Sequence, residues 1–125
     1  MAKRSEVGAW GEAVAAKRLA EQGHAVLARN WRSGHGELDI ITERAGVITF
    51  VEVRTRRSDA YGTPEESITS RKRAKLIETA QAYLAANDLN DAQWQIDVIA
   101  IDLDAHNALL RYDHIEYAIE MGNGE

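Results

Sequence analysis

Nine consecutive residues, Val47-Ile48-Thr49-Phe50-Val51-Glu52-Val53-Arg54-Thr55, constrain this chain more than any other stretch. Most are β-branched or aromatic. Such side chains fit a pleated surface and crowd the preceding turn of a helix, so the segment reads as a strand. A second strand-like run, residues 36–44, precedes it, with Ala45-Gly46 between the two as a candidate tight turn. A two-residue turn sets Arg44 opposite Val47, and the rest of the register follows. Asp39 then lies across from Glu52, and Glu37 across from Arg54. Alternation sends Glu37, Asp39 and Ile41 to one side and Leu38 and Ile40 to the other, while Phe50, Glu52 and Arg54 share a face. Asp39 and Glu52 fall on one face with side-chain origins roughly 5 Å apart. A turn one residue longer would put them on opposite faces.

The flanking segments supply the rest of a mixed sheet. Residues 5–22 read as a helix with Val7, Trp10, Ala13 and Val14 on its inner side, and Gly23 is placed to end it. Residues 24–31 suit a short strand, and Ser33-Gly34-His35-Gly36 a loop. Thr63-Pro64-Glu65-Glu66 carries a capping-box pattern with proline at the first helical position. The helical region then runs to about Asn87, with Thr69-Ser70 as a place to break and restart. Its expected inner face is Ala74, Ile77, Ala80, Gln81 and Leu84. Residues 94–103 read as another strand, and 109–121 as a strand pair or a strand and turn. The order α-β-β-β-α-β-β implies an α/β fold, a mixed sheet flanked by helices in one domain spanning 1–125.

Composition excludes several classes. The chain has no cysteine, which removes thiol catalysis, thiolate zinc sites and a disulfide scaffold. There is no run of roughly eighteen apolar residues to span a bilayer and no hydrophobic segment after Lys3-Arg4, so a cytoplasmic protein is the expectation. His24, His35, His106 and His114 lack metal-ligand spacing on a helix. The net charge of −5 hides an asymmetry. Residues 1–75 hold 14 Lys and Arg against 10 acids, whereas residues 76–125 hold Arg111 alone against 10 acids. Seven of the bases lie between Arg54 and Lys75. Phosphate binding responds to the local field, so this stretch is a candidate nucleic-acid surface in spite of the acidic total. For an isolated charge run, a solvated face is the plainer reading.

Like charges opposed in a sheet repel, and something must compensate Asp39 against Glu52. Mg²⁺ does so well, because it takes oxygen ligands and is commonly held by one or two carboxylates with water and substrate phosphate. Such an ion polarises a phosphoryl oxygen and acidifies water, the two needs of phosphodiester hydrolysis. The alternative is a surface ion-pair ladder that Arg54 and Glu37 form with Asp39 and Glu52. Glu12 is a third acid, in the first helix beside Gly8 and Gly11. Each glycine costs about 1 kcal/mol against alanine inside a helix, so the pair asks for a reason such as close backbone approach.

Gly11-Glu12, Gly36-Glu37-Leu38-Asp39, Val51-Glu52-Val53-Arg54 and the basic helix after them resemble the YraN family of uncharacterised bacterial proteins. That family is similar to archaeal Holliday-junction resolvases and other PD-(D/E)XK nucleases, with a restriction-endonuclease-like fold. The likeness runs from about Gly8 to Ile101. It implies that Asp39 and Glu52 hold Mg²⁺ or Mn²⁺, with the Val53 carbonyl as an extra ligand and Glu12 completing the site through water. It also implies catalytic roles for Arg54, in the place of the usual lysine, and for Lys72. Arginine stays charged and is a poor base, so proton transfer falls to metal-activated water or to Lys72. Arg54 would instead stabilise the phosphate as a fixed cation. The family pattern has Arg-Phe-Asp where this chain has Gln95-Ile96-Asp97.

Beside the acid pair, phosphate contact becomes the better reading of Arg56, Arg57, Arg71, Arg73 and Lys75. Tyr61-Gly62 lies in a loop placed to meet a backbone. The leading expectation is a metal-dependent endonuclease acting on branched or single-stranded DNA, with a homodimer implied by the resolvases. A non-catalytic nucleic-acid-binding module on the same scaffold is the second reading. The third is a protein-interaction domain using the acidic C-terminal half.

Overall fold

A computed structural model describes residues 6–57, 62 and 64–119. Helix α1 (Glu6–Glu21) leads into strands β1 (Ala25–Ser33), β2 (Gly36–Arg44) and β3 (Val47–Arg57). A 3-10 turn, Glu65–Ser67, comes before α2 (Ser70–Ala86), followed by β4 (Gln93–Leu103) and β5 (Leu109–Ile119). The five strands form one mixed sheet in chain order. β3 and β4 pair in parallel and α2 makes the crossover, while the other pairs are antiparallel. This is the α-β-β-β-α-β-β sheet with flanking helices expected from the sequence. Tyr61 and Thr63 of the connecting loop lie outside the described residues. Among the described residues no helix is long and apolar enough to cross a membrane.

The hairpin between β2 and β3 has the register expected for a two-residue turn. Arg44 opposes Val47, and Ile40 opposes Val51. Ala45 and Gly46 both take positive φ, +54° and +82°, which gives the link the twist that a tight hairpin needs. Each face of the sheet carries one apolar cluster. On the α2 side Phe50 and Trp31 pack edge-on against Tyr83, with Leu38, Ile41 and Ile96 around them. On the α1 side Ala15 and Leu19 cover Ile40, Val51, Ile99 and Ile101. β4 is buried on both faces along most of its length, as a strand with a parallel neighbour and cover on either side should be.

Several local expectations are corrected. Leu38 and Ile40 do not share a face: Leu38 joins the α2-side cluster and Ile40 the α1-side cluster, so alternation skips a step at Asp39. The inner face of α1 is Gly11, Glu12, Ala15 and Leu19, while Trp10 and Ala13 are exposed. The helix turns its smallest residues inward because it lies hard against β3. A Cβ at Gly11 would fall 2.0 Å from Thr55 Oγ1. The inner face of α2 is Leu76, Thr79, Ala80, Tyr83 and Leu84, and Ala74 and Gln81 face solvent. Tyr83 fills the space between Trp31 and Phe50, which sets that rotation. Pro64 opens a 3-10 turn rather than a long helix. α2 then restarts at Ser70, where the Thr69 side chain accepts from the Lys72 N–H at 3.2 Å. The last segment is one strand, β5, rather than a pair.

Two outcomes follow from this packing. Gly11→Ala should lower unfolding free energy by roughly 1–3 kcal/mol, because the added methyl meets Thr55 in a tight interface; denaturant melts read this directly. His24 is buried and hydrogen-bonded to Thr42 Oγ1 at 2.8 Å, and burial, with Arg44 and His114 nearby, holds its pKa below the ordinary 6.5. The unfolded chain therefore takes up this proton first as pH falls. Its contribution to stability is present above pH 6.5 and is lost as pH falls toward the lower folded value. His24→Gln should flatten that part of the stability profile.

Candidate metal and nucleic-acid site

The backbone itself brings the acids together. The β2–β3 ladder stops at Ile40 opposite Val51, before reaching Asp39. Past that point Asp39 Oδ2 accepts the Val53 N–H at 2.9 Å. A carboxylate thus takes the place of a strand carbonyl, and β2 and β3 part around it. Across β2, on β1, Asn30 adopts a φ of +54°, so the irregularity extends to the neighbouring strand. Glu52 alternates with Phe50 and Arg54, and its carboxyl is in hydrogen-bond contact with that of Asp39. Glu12 on α1 also bonds to Asp39. It is 5% exposed, deeply buried for a glutamate. Its depth follows from the Gly11–Thr55 contact, which seats the helix on β3.

The electrostatics are those of crowded, largely buried acids with Arg54 as the cation beside them. Burial pushes Asp39 above its ordinary value, and the bonds from Val53, Glu52 and Glu12 oppose the rise. Burial and the Asp39 charge push Glu52 up to about 8, against the pull of Arg54. One proton is held between the two carboxyls where a free pair would have none. Arg54 Nη1 lies 3.1 Å from Glu52 Oε2. Its other side grips Ser67: Nε and Nη2 donate to Oγ at 3.0 and 2.6 Å. Ser67 in turn donates to the Pro64 carbonyl at 2.6 Å. Arg54 therefore ties the acid pair to the turn before α2, a contact no sequence motif announced.

The donor set is all oxygen and suits Mg²⁺ or Mn²⁺. The Asp39 and Glu52 carboxyls interact with one another, so they are the pair from which one such ion would take its oxygens. Among the described residues no three acidic or histidine side chains form a ready-made metal cage. Further ligands would come from Glu12 through water, from a backbone carbonyl or from a bound phosphate, as Mg²⁺ sites commonly allow.

The predicted bases divide into two groups. Arg56 and Arg57, at the end of β3, are engaged within the fold. Arg56 pairs with Asp102 at 3.1 Å and donates to the Gly62 carbonyl, and Arg57 donates to Asn107 Oδ1. Arg71, Lys72, Arg73 and Lys75 are exposed on the first turns of α2. The Lys75 stem covers Gly36, at the start of the strand carrying Asp39. Lys72 makes no hydrogen bond or ion pair to either acid among the described contacts. Glu37 pairs with Arg32 at 3.3 Å and not with Arg54, because the ladder that would have opposed them ends at Ile40.

With a folded value of about 8 against an ordinary 4.5, Glu52 gains its proton on folding. The stability this contributes is full below pH 4.5 and is lost as pH rises through 8. In the absence of divalent cations, thermal melts should therefore show Glu52→Gln gaining on the parent chain at pH 9 relative to pH 5. An unchanged difference between the two would contradict the shared proton.

Comparisons with known proteins agree with the motifs that lead to this site. The model of "Uncharacterised protein family UPF0102" matches residues 11–101, which include all three acids and the basic turns of α2. A UPF0102 protein of Roseiflexus castenholzii is 47% identical over 119 residues, covering 94% of this chain and 96% of that one. One from Moorella thermoacetica is 44% identical over 101 residues, 81% of this chain and 84% of its own. Among solved structures, "The structure of Pyrococcus Furiosus SfsA in complex with Ca2+" aligns at 14% identity and a TM-score of 0.36. It covers 90% of this chain and 63% of the other, too slight a likeness to argue from. The chain belongs to the UPF0102 family, the uncharacterised bacterial family also called YraN.

Proposed function

We propose that this protein is a metal-dependent endonuclease that hydrolyses phosphodiester bonds in branched or single-stranded DNA. The observation that supports it most is the Asp39–Glu52 pair. Two largely buried carboxyls are held in contact by the parting of β2 and β3, at the cost of retaining a proton near neutral pH. A fold seldom keeps such a pair without a cation to exchange for the proton. Asp39 and Glu52 would hold Mg²⁺ or Mn²⁺, with Glu12 ordering a water beside them. When bound, the ion supplies charge neutralisation at the phosphate and a more acidic water.

The remaining roles belong to the side chains around the pair. Arg54 is a fixed cation beside Glu52, suited to stabilising charge on the phosphate and unsuited to accepting a proton. Lys72, Arg71, Arg73 and Lys75 offer a row of exposed cations for the DNA backbone, a sequence-independent grip. Arg56 and Arg57 contribute less to that grip, since Asp102 and Asn107 already occupy their guanidinium groups.

One observation favours a second reading, a binding module without catalysis. Arg54 is bound to Ser67 by two hydrogen bonds and is thereby committed to structure. Cleavage assays with Mg²⁺ and Mn²⁺ on branched, single-stranded and duplex DNA separate the two. A nuclease should cut in the presence of either metal. Asp39→Asn and Glu52→Gln should each reduce cutting by more than about a hundredfold while leaving DNA affinity in place. Lys72→Ala should weaken binding and lower its salt dependence by about one charge. Salt-sensitive binding with no metal-dependent product under any of these conditions would leave the module reading standing.

A further inference from the structure

A second polar cluster lies on the α1 side of the sheet, beyond the C-terminal end of that helix. Among the described residues seven polar or charged side chains are buried, and five of them gather here: His24, Thr42, Thr49, Gln95 and Asp97. Burying polar groups on neighbouring strands is costly where aliphatic side chains would serve. The cluster borders a cavity of about 200 Å³ lined by His24, Arg44, Gln95, Asp97 and His114 among others. One water takes up roughly 30 Å³ of liquid, so the space exceeds what a single bridging water would fill.

The hydrogen bonds show which groups are spoken for. Asp97 is 1% exposed and accepts from Gln95 Nε2 at 2.8 Å and from the Tyr117 N–H at 3.1 Å. Its Oδ2 lies 2.7 Å from His114 Nε2. The bond to Tyr117 pins the bulge in β5, where that residue takes a φ of +54°. Asp97 is thus engaged at both of its carboxylate oxygens. His24 is not so supplied. Its Nδ1 lies 2.8 Å from the Thr42 hydroxyl, and where that hydroxyl donates to Nδ1, or the ring is protonated, Nε2 carries a hydrogen. That Nε2 is buried without a partner. Arg44 crosses over Gly23 beside it, with a weak bond at 3.4 Å from Nη1 to the Gln22 carbonyl and the rest of its guanidinium unengaged by the described contacts. Three basic side chains thus converge on one cavity: His24, His114 and Arg44. Glu116, on the outer rim, is exposed.

We infer that this cavity is a binding site for a small oxyanion of the phosphate class, held between the Arg44 guanidinium and the imidazoles of His24 and His114. Its ligand oxygens supply the partner that His24 Nε2 lacks and the counter-charge that Arg44 lacks. The site involves none of the candidate nuclease residues and does not depend on that reading. Free phosphate and the terminal phosphate of a nucleic-acid strand present the same chemistry here.

Titration of the full chain with inorganic phosphate, followed through the imidazole proton resonances, tests it. His24 and His114 should shift and saturate in the millimolar range, while exposed His35 and His106 serve as internal references. Arg44→Gln, at an exposed position, should leave the fold intact and weaken phosphate about tenfold or more. His24→Gln should do likewise if it folds. Titration with the dinucleotides pTpT and TpT separates the sources. A shift with pTpT and not TpT assigns the site to strand ends, and a shift with inorganic phosphate but neither dinucleotide assigns it to free phosphate. The inference is overturned if His24 and His114 follow the reference histidines without saturating by about 50 mM phosphate. It is equally overturned if Arg44→Gln binds as the parent does.

Discussion

Where β2 and β3 part, one carboxylate does the work of a backbone carbonyl. Asp39 accepts the Val53 N–H, and that single bond lets the hairpin open without leaving a buried donor unsatisfied. The opening makes room for the Glu52 carboxyl to meet Asp39, and for Glu12 to reach the same point from α1. Without that bond the ladder could continue to its full length and the two acids would sit as opposed surface charges. The chemistry of the site thus begins as a fault in strand pairing.

The surroundings keep the fault from spreading. Below it the ladder is regular from Ile40 and Val51 to the turn. On one side Gly11 lets α1 lie flush on Thr55, which sets how deep Glu12 reaches. On the other, Arg54 joins Glu52 to Ser67 and so holds the turn that launches α2. The exposed bases of α2 are placed through that chain of contacts and not through any direct bond to the acids. An arginine suits such a strut because its guanidinium can donate in two directions at once, which an ammonium on a flexible stem does less well.

Much of this was legible in the residues. The Ala45-Gly46 link and the β-branched run after it were enough for the register, and register alone placed Asp39 near Glu52. The two helix glycines pointed to close backbone approach, and Gly11 makes it. Alternation failed at Leu38 and Ile40, since the polar–apolar sequence Glu37-Leu38-Asp39-Ile40 looks regular and a bulge-like skip at Asp39 leaves no mark in it. The helix faces were misjudged for a related reason. Alanine and glycine can face either way, and what decided was the depth of packing against Thr55 and the bulk of Tyr83. Charge told where the bases lie along the chain but not which have acid or amide partners from β4 and the turn after it, as Arg56 and Arg57 do. Asp97 inside an isoleucine-rich strand was the one visible sign of the second polar cluster.

The sheet also joins two kinds of pairing with different demands on the chain. β1, β2 and β3 are linked by tight turns, so their contacts close loops of a few residues. β3 and β4 pair in parallel, and about 35 residues between Arg57 and Gln93 must be ordered before that ladder can close. Nearby strands meet sooner than distant ones. Asp39 and Glu52 both belong to the hairpin, whereas Ser67 and the α2 bases belong to the long crossover. During folding, then, the repelling carboxyls come together before the arm that steadies Arg54 is in place. Solution conditions that protonate or screen them should ease the earliest steps of assembly more than the last.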